Sequence, residues 1–194
     1  MRRVEFFFDF GSPMAYLAYM QLPGIAVRAG AEIVYRPMLL GGVFKATGNS
    51  PPAAVPAKGR YMSRDIERFA RRSGVPYAFN PHFPVNTLHL MRGAMAAEEM
   101  GQFKPYADAV YRAMWVEQKA MEDLEVTGDV LARAGLDAPL LMSLVAEARI
   151  KDKLRLATEE AVARGVFGAP TFFVGAEMFF GQDRLDFVAE ALAA

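Results

Sequence analysis

The chain has 194 residues, of which 53% are hydrophobic and 23% charged, a balance typical of a globular protein and unlike that of a disordered one. Its 22 basic and 22 acidic residues cancel, so the bulk charge provides no attraction to nucleic acid or to an anionic membrane. The absence of cysteine excludes disulfides, thiolate metal sites and any dithiol redox motif.

The first residues do not resemble a signal peptide, because Glu5 and Asp9 enclose an apolar run of only three phenylalanines. No stretch approaches the roughly 20 consecutive apolar residues of a membrane-spanning helix. We therefore expect a cytoplasmic protein with no membrane or nucleic-acid partner.

The first forty residues predict a strand, a helix and a second strand. Residues 3–9 carry apolar side chains at both parities, which indicates a strand covered on both faces. Ser12 and Pro13 form a strong helix start, with serine as the N-cap and proline at the first helical position, and Gly30 ends the helix. Residues 32–39 then predict a second strand, parallel to the first in a right-handed βαβ unit.

The pattern changes after residue 40. Glycines, prolines and Asn49 predict an unusually long loop over residues 41–57, followed by a helix over 58–73 and a second loop over 80–86. No comparable strand pattern occurs between residues 40 and 165. Further helices are predicted at about 87–100, 104–118, 127–134, 138–148 and 150–164.

Strand patterns return in the last thirty residues. Residues 171–174 and 177–180 predict a β-hairpin around Gly175 and Ala176. A closing helix is expected over 184–193, with Asp183 as a candidate N-cap.

The order β-α-β, helical block, β-β-α predicts an α/β fold, a thioredoxin-like domain with a large all-helical insertion. The thioredoxin-like domain is expected to be discontinuous, formed by residues 1–45 and 160–194. Residues 46–159 are expected to form the helical insertion domain.

Ser12 lies where thioredoxin-like proteins carry their active cysteine, at the N-terminus of the first helix. The unpaired amides and partial positive charge of a helix N-terminus stabilise an anion there. The chain keeps this anion site and lacks the thiol, so glutathione, an abundant cytosolic thiol, is the obvious supplier. Taken alone, the serine–proline pair is more simply explained as a plain helix cap, and the second element described next shifts the balance.

Two other segments are candidates for binding the same molecule. Ala169 and Pro170 occupy the place of the thioredoxin cis-proline, where the backbone of Ala169 would pair with an extended peptide. Gln182 and Asp183 suit the γ-glutamyl end of glutathione, although Asp183 also fits a simple cap. Asn49, taken alone, fits a solvated turn.

Six segments together resemble the 2-hydroxychromene-2-carboxylate isomerase family, which is similar to the kappa-class glutathione transferases. They cover nearly the whole chain and read FFFDFGSPMAYLA, TGNSPP, KGRYMSRDI, AMWVE, FGAPTFFVG and FGQDRL. The resemblance implies a thioredoxin domain with a helical insertion, glutathione as cofactor and a homodimer. The glutathione-binding residues it implies are Ser12, Asn49, Lys58, Ala169, Pro170, Gln182 and Asp183, with Asp65 nearby.

The resemblance also implies an activity and a substrate pocket. The expected reaction converts 2-hydroxychromene-2-carboxylate to trans-o-hydroxybenzylidenepyruvate by reversible thiolate addition, with Ser12 as the catalytic residue. The loop over 80–86 is expected near the substrate, with His82 and with Phe83 where some members have tyrosine. The alternatives are a kappa-like glutathione transferase or peroxidase, and a non-enzymatic peptide-binding module.

The two histidines and the single tryptophan are weaker candidates. His82 and His89 lie seven residues apart without acidic or thiol neighbours, which makes a poor metal pair. Trp115 fits either the helical core or a wall of the cleft.

Overall fold

Four strands and nine helices are arranged along residues 2–194, which the computed structural model describes. The strands are β1 (Arg3–Phe8), β2 (Glu32–Pro37), β3 (Thr171–Val174) and β4 (Glu177–Phe180). The helices are α1 (Pro13–Ala29), α2 (Leu40–Thr47), α3 (Pro56–Ser73), α4 (Leu88–Glu99), α5 (Phe103–Trp115), α6 (Leu124–Arg133), α7 (Ala138–Leu144), α8 (Ala148–Ala163) and α9 (Leu185–Ala193). Short 3-10 turns occupy Pro52–Ala54 and Gln182–Arg184.

The strands form one mixed sheet in the order β2-β1-β3-β4. β1 runs parallel to β2 and antiparallel to β3, while β3 and β4 form the expected hairpin. Phe6 lies between Phe8 and Phe172 in a stack whose ring centroids are 5.3 Å apart on each side. β1 is buried from its second residue onward, which confirms a central strand covered on both faces.

The helices α2–α8 lie between β2 and β3 in the chain, and no strand interrupts them within the part of the chain that the structure describes. This arrangement confirms the predicted fold, a thioredoxin-like sheet with a large helical insertion. Trp115, Tyr106 and Tyr111 of α5 belong to the same buried cluster as Phe8 and Phe10. The division into two domains stays a prediction.

The prediction of a continuous loop over residues 41–57 was wrong. Most of its first half is α2, in which Val43 is buried in a cluster that includes Ala161 of α8. The helix has no side-chain cap of its own, but the Asp9 carboxylate accepts a hydrogen bond from the Leu40 N–H at 2.8 Å. Both interactions come from residues distant in the chain, so the local excess of glycine and proline was misleading.

A carboxylate with two arginine partners links β1 to the neighbouring elements. Glu5 accepts hydrogen bonds from Arg36 at 2.8 Å and from two nitrogens of Arg164 at 2.9 and 3.0 Å. The Arg164 guanidinium also lies 4.1 Å from the ring centroid of Phe173. The hydrogen bond from Arg164 is the main cause that lowers the pKa of Glu5, although burial opposes it.

We expect Glu5→Gln to lower the free energy of unfolding by about 2 kcal/mol at pH 7, because charge-assisted hydrogen bonds are lost. The pKa of Glu5 is lower in the folded state, so its contribution is present above the unfolded value of about 4.3 and disappears as the pH falls through the folded value. Urea denaturation at pH 7 and at about pH 3 should therefore show a difference that shrinks in acid. Glu159→Gln, at an exposed pair with Arg155, is the control and should change little. An equal loss at both pH values would contradict the charge-based explanation.

Candidate active site

A cavity of about 710 Å³ opens where the turn after β1 meets the segments before β3 and after β4. Its volume lies in the range of small-molecule sites. Its lining includes Ser12, Asn49, Lys58, Asp65, Phe83, Ala169, Pro170, Gln182 and Asp183, which sequence reasoning had singled out. His82 is exposed in the same loop as Phe83 but does not line the cavity, contrary to expectation.

Ser12 is the N-cap of α1, as predicted. Its Oγ accepts a hydrogen bond from the Ala15 N–H at 3.1 Å, and Pro13 occupies the first turn. The same hydroxyl donates to the carbonyl oxygen of Ala169 at 3.1 Å, across 157 residues of chain. A single side chain therefore joins the helix N-terminus to the segment before β3.

The peptide bond between Ala169 and Pro170 is cis, as predicted from the place of the cis-proline in thioredoxin-like proteins. The Ala169 carbonyl, expected to be free for an extended ligand, already accepts one hydrogen bond from the Ser12 hydroxyl, and pairing of this backbone with a ligand stays a prediction. Within residues 2–194, no group accepts a hydrogen bond from the Ala169 N–H. The donor that an extended ligand would use is thus available, while the acceptor is shared with Ser12.

Gln182 and Asp183 border the cavity in the 3-10 turn before α9. Gln182 is 5% exposed, its amide forms no hydrogen bond within the part of the chain that the structure describes, and it is not among the fully buried polar groups that lack a partner there. Asp183 is exposed and pairs with Arg184 at 2.6 Å. The prediction that Asp183 caps the closing helix was wrong, because the 3-10 turn delays α9 and places Arg184 at the N-cap without a side-chain bond.

Asn49 and Lys58 reach the cavity from the segment around the start of α3. The Asn49 amide donates to the Phe167 carbonyl at 2.9 Å, and its oxygen accepts the Ser50 N–H at 2.8 Å. Asn49 therefore anchors its loop against the segment before Pro170. Lys58 is the only basic side chain on the lining within residues 2–194, and no carboxylate of that range pairs with it.

Aromatic side chains form another part of the lining. The ring centroids of Phe79 and Phe83 are 6.1 Å apart, and those of Phe83 and Trp115 are 5.9 Å apart. Trp115 is fully buried and donates from its Nε1 to the Phe10 carbonyl at 2.8 Å. Trp115 thus belongs to the core and to the cavity wall at once. This wall offers apolar ring surface, and Phe83 brings no hydroxyl to it.

Comparison with known proteins agrees with this geometry. A family model described as a DSBA-like thioredoxin domain matches residues 3–193. A 2-hydroxychromene-2-carboxylate isomerase of Sphingobium xenophagum is 34% identical over 98% of each chain. The chain belongs to the 2-hydroxychromene-2-carboxylate isomerase family of DSBA-like thioredoxin domains. The resemblance inferred from the six sequence segments is thereby confirmed.

Two further proteins are similar to this chain over nearly its whole length. A solved structure of a 2-hydroxychromene-2-carboxylate isomerase superposes with a TM-score of 0.89 and 30% identity, covering 98% of this chain and 94% of the other. Glutathione S-transferase kappa 1 of Rattus norvegicus is 28% identical over 98% of this chain and 91% of its own length. Both support a function of the isomerase or glutathione-transferase type.

Sequence reasoning missed Asp9, which also borders the cavity. Its side chain is 1% exposed and accepts hydrogen bonds from the backbone N–H groups of Gly11 and Leu40, both at 2.8 Å. Burial raises the pKa of Asp9, opposed by these two bonds and by one from the Thr87 hydroxyl. The only sequence sign was an acidic residue at the carboxyl end of a buried strand, just before a helix start.

His89 lies away from the cavity lining. Its Nε2 is 3.4 Å from the Thr127 hydroxyl, and burial lowers its pKa. Within residues 2–194, no three histidine, aspartate or glutamate side chains come together as a metal site would require. No helix in the same range combines the length and hydropathy needed to cross a membrane.

Proposed function

We propose that this protein is a glutathione-dependent isomerase of an aromatic-degradation intermediate, of the 2-hydroxychromene-2-carboxylate type. The observation that carries the proposal is the position of Ser12. Its hydroxyl lies at a helix N-terminus, contacts Ala169 beside the cis-proline, and borders a cavity with an aromatic wall in a chain without cysteine.

The polar groups of the cavity fit a short anionic peptide. Gln182 offers an amide without a protein partner and Asp183 a carboxylate, which suit the carboxylate and the ammonium of a γ-glutamyl group. The Ala169 N–H suits a peptide carbonyl, and Lys58 suits a terminal carboxylate. The donors and charges of the cavity therefore match those of glutathione.

Ser12 is suited to stabilise a thiolate. When bound, glutathione would supply a thiolate nucleophile able to add reversibly to a conjugated system, which is the chemistry that would let a double bond rotate, and Ser12 and the N-terminus of α1 would hold that thiolate. The Ser12 proton points to the Ala169 carbonyl, which an extended peptide paired with Ala169 would also use. Competition for that carbonyl releases the hydroxyl to donate to an anion, and the N-terminus of α1 adds its partial positive charge.

The aromatic wall is suited to the substrate. Phe79 and Phe83, with the buried Trp115 packed behind Phe83, offer ring surface against which a planar aromatic molecule packs. Phe83 has no proton to donate, so proton transfer to the substrate does not depend on that position.

The second candidate function is a kappa-like glutathione transferase or peroxidase, which the rat kappa-class relative favours. The test supplies 2-hydroxychromene-2-carboxylate with substoichiometric glutathione and follows substrate absorbance and free thiol together. An isomerase converts many substrate equivalents while the thiol is conserved. Loss of one thiol per turnover would identify the transferase, and no conversion with any thiol-reactive substrate would favour a binding module. A homodimer and a cytoplasmic location stay predictions.

A further inference from the structure

The carboxylate of Asp9 joins two segments that line the cavity and lies beside a third. It accepts one hydrogen bond from Gly11 in the turn that carries Ser12, and one from Leu40 at the start of α2. The side chain of Thr87, which ends the segment containing Phe83, lies beside the same turn: a Cβ on Gly11 would be 3.1 Å from its methyl and 3.9 Å from its hydroxyl. The Asp9 backbone carbonyl also accepts the N–H of Ser12 at 3.0 Å.

No basic side chain pairs with Asp9 within residues 2–194, although this carboxylate is almost completely buried. A buried carboxylate without an opposite charge lowers stability unless several hydrogen bonds compensate it. Its two hydrogen-bond donors belong to the turn of Ser12 and to the start of α2, so the compensation comes from holding these two parts of the site together.

We propose that Asp9 is a positioning residue that holds the turn of Ser12 against α2, beside the segment of Phe83, so that the Ser12 hydroxyl is aimed at the bound thiol. This inference rests on the proposed function in one respect, the role of Ser12 towards a thiolate. Asp9 itself contacts neither cofactor nor substrate in this role.

Asp9 could affect the pKa of the bound thiol in two ways, by positioning Ser12 or by its own negative charge, and these two effects have opposite signs. A nearby anion disfavours a second anion, so removing the charge would lower the thiol pKa if electrostatics dominated. Loss of the hydrogen bond from the Ser12 hydroxyl to the thiolate would raise the thiol pKa. Asp9→Asn removes the charge and also breaks one backbone hydrogen bond, because its amide nitrogen must face a donor N–H.

The experiment compares wild type and Asp9→Asn by calorimetric glutathione binding and by ultraviolet titration of the bound thiol. We expect the dissociation constant to change less than about threefold, since the peptide-binding groups lie elsewhere. We expect the thiol pKa to rise by about one unit, and kcat near neutral pH to fall about tenfold with little change in KM. Leu141→Ala in α7, a buried site away from the cavity lining, controls for destabilisation alone and should leave the thiol titration unchanged.

A lowered or unchanged thiol pKa in Asp9→Asn would overturn the proposal. If that variant does not fold, Gly11→Ala replaces it, because a Cβ there would lie 3.1 Å from the Thr87 methyl and 3.4 Å from the Asp9 carboxylate. It should raise the thiol pKa by a smaller amount, and an unchanged value would again overturn the proposal.

Hydrogen exchange of the free protein separates this inference from the proposed function. Asp9→Asn should accelerate exchange of the Ser12 and Leu40 amides while α9 keeps its wild-type rates. Unchanged exchange would overturn the positioning role even where glutathione binds. Accelerated exchange in a protein that does not bind glutathione would refute the proposed function. It would still support the inference that Asp9 holds the turn of Ser12 against α2.

Discussion

Ser12→Ala is expected to leave glutathione bound but to remove most turnover near neutral pH. The groups suited to the peptide backbone and the γ-glutamyl end are Ala169 and Gln182, which the substitution leaves intact. A hydrogen bond to a charged group contributes about 1.5–3 kcal/mol, equivalent to roughly one to two pKa units of the bound thiol. Without it, the thiolate fraction at pH 7 and the rate fall by roughly ten- to a hundredfold.

The measurement is an ultraviolet thiolate titration of bound glutathione, with kcat followed as a function of pH. Because loss of the hydroxyl raises the thiol pKa, the activity of Ser12→Ala should partly recover as the pH rises. Stability does not discriminate here, since losing an N-cap costs about 1 kcal/mol whatever the function. Ser143→Ala removes a hydroxyl of α7 that bonds only the Leu140 carbonyl, and it serves as the matched control. Identical titration curves for wild type and Ser12→Ala would reduce Ser12 to a helix cap.

The features that the sequence predicted well are those determined by neighbouring residues. The start of α1 follows from a serine–proline pair, and its end follows from Gly30, which adopts the left-handed conformation that glycine tolerates. The hairpin of β3 and β4 follows from two short apolar runs around Gly175. The placement of Lys58 at the cavity rested on the family resemblance, since an isolated lysine carries no local sign of a binding site.

The features that the sequence did not predict depend on contacts between distant parts of the chain. The formation of α2 depends on Asp9 and on packing against α8, which local composition does not show. The Ala169 carbonyl looked open because nothing near it in the chain reveals the Ser12 hydroxyl. Asp183 resembled a cap because the sequence does not show that a 3-10 turn follows Gly181, which has a φ of +101°.

Variants of Gln182 and Asp183 should have the opposite effect to that of Ser12→Ala, with weakened binding and preserved chemistry. Gln182→Ala removes an amide on the cavity lining whose partner, on our proposal, is the γ-glutamyl carboxylate, and a hydrogen bond of this kind is equivalent to roughly a ten- to hundredfold change in affinity. Asp183→Ala should weaken binding in the same direction by removing the carboxylate suited to the ammonium. At saturating glutathione, kcat should stay near wild type, because Ser12 and the N-terminus of α1 are intact.

The stability of these variants separates binding from a structural role. Asp183→Ala should not lower the melting temperature appreciably, because Asp183 is exposed and does not cap α9, whereas Gln182→Ala should lower it modestly through the packing lost at a buried position. Asp186→Ala, in the exposed first turn of α9 and off the cavity lining, is the control for removing a carboxylate from this segment. Calorimetric titration with glutathione should show weakened binding for Gln182→Ala and Asp183→Ala only. Unchanged affinity together with a large loss of stability would assign both residues to the fold and leave the γ-glutamyl group without a binding site at this end of the cavity.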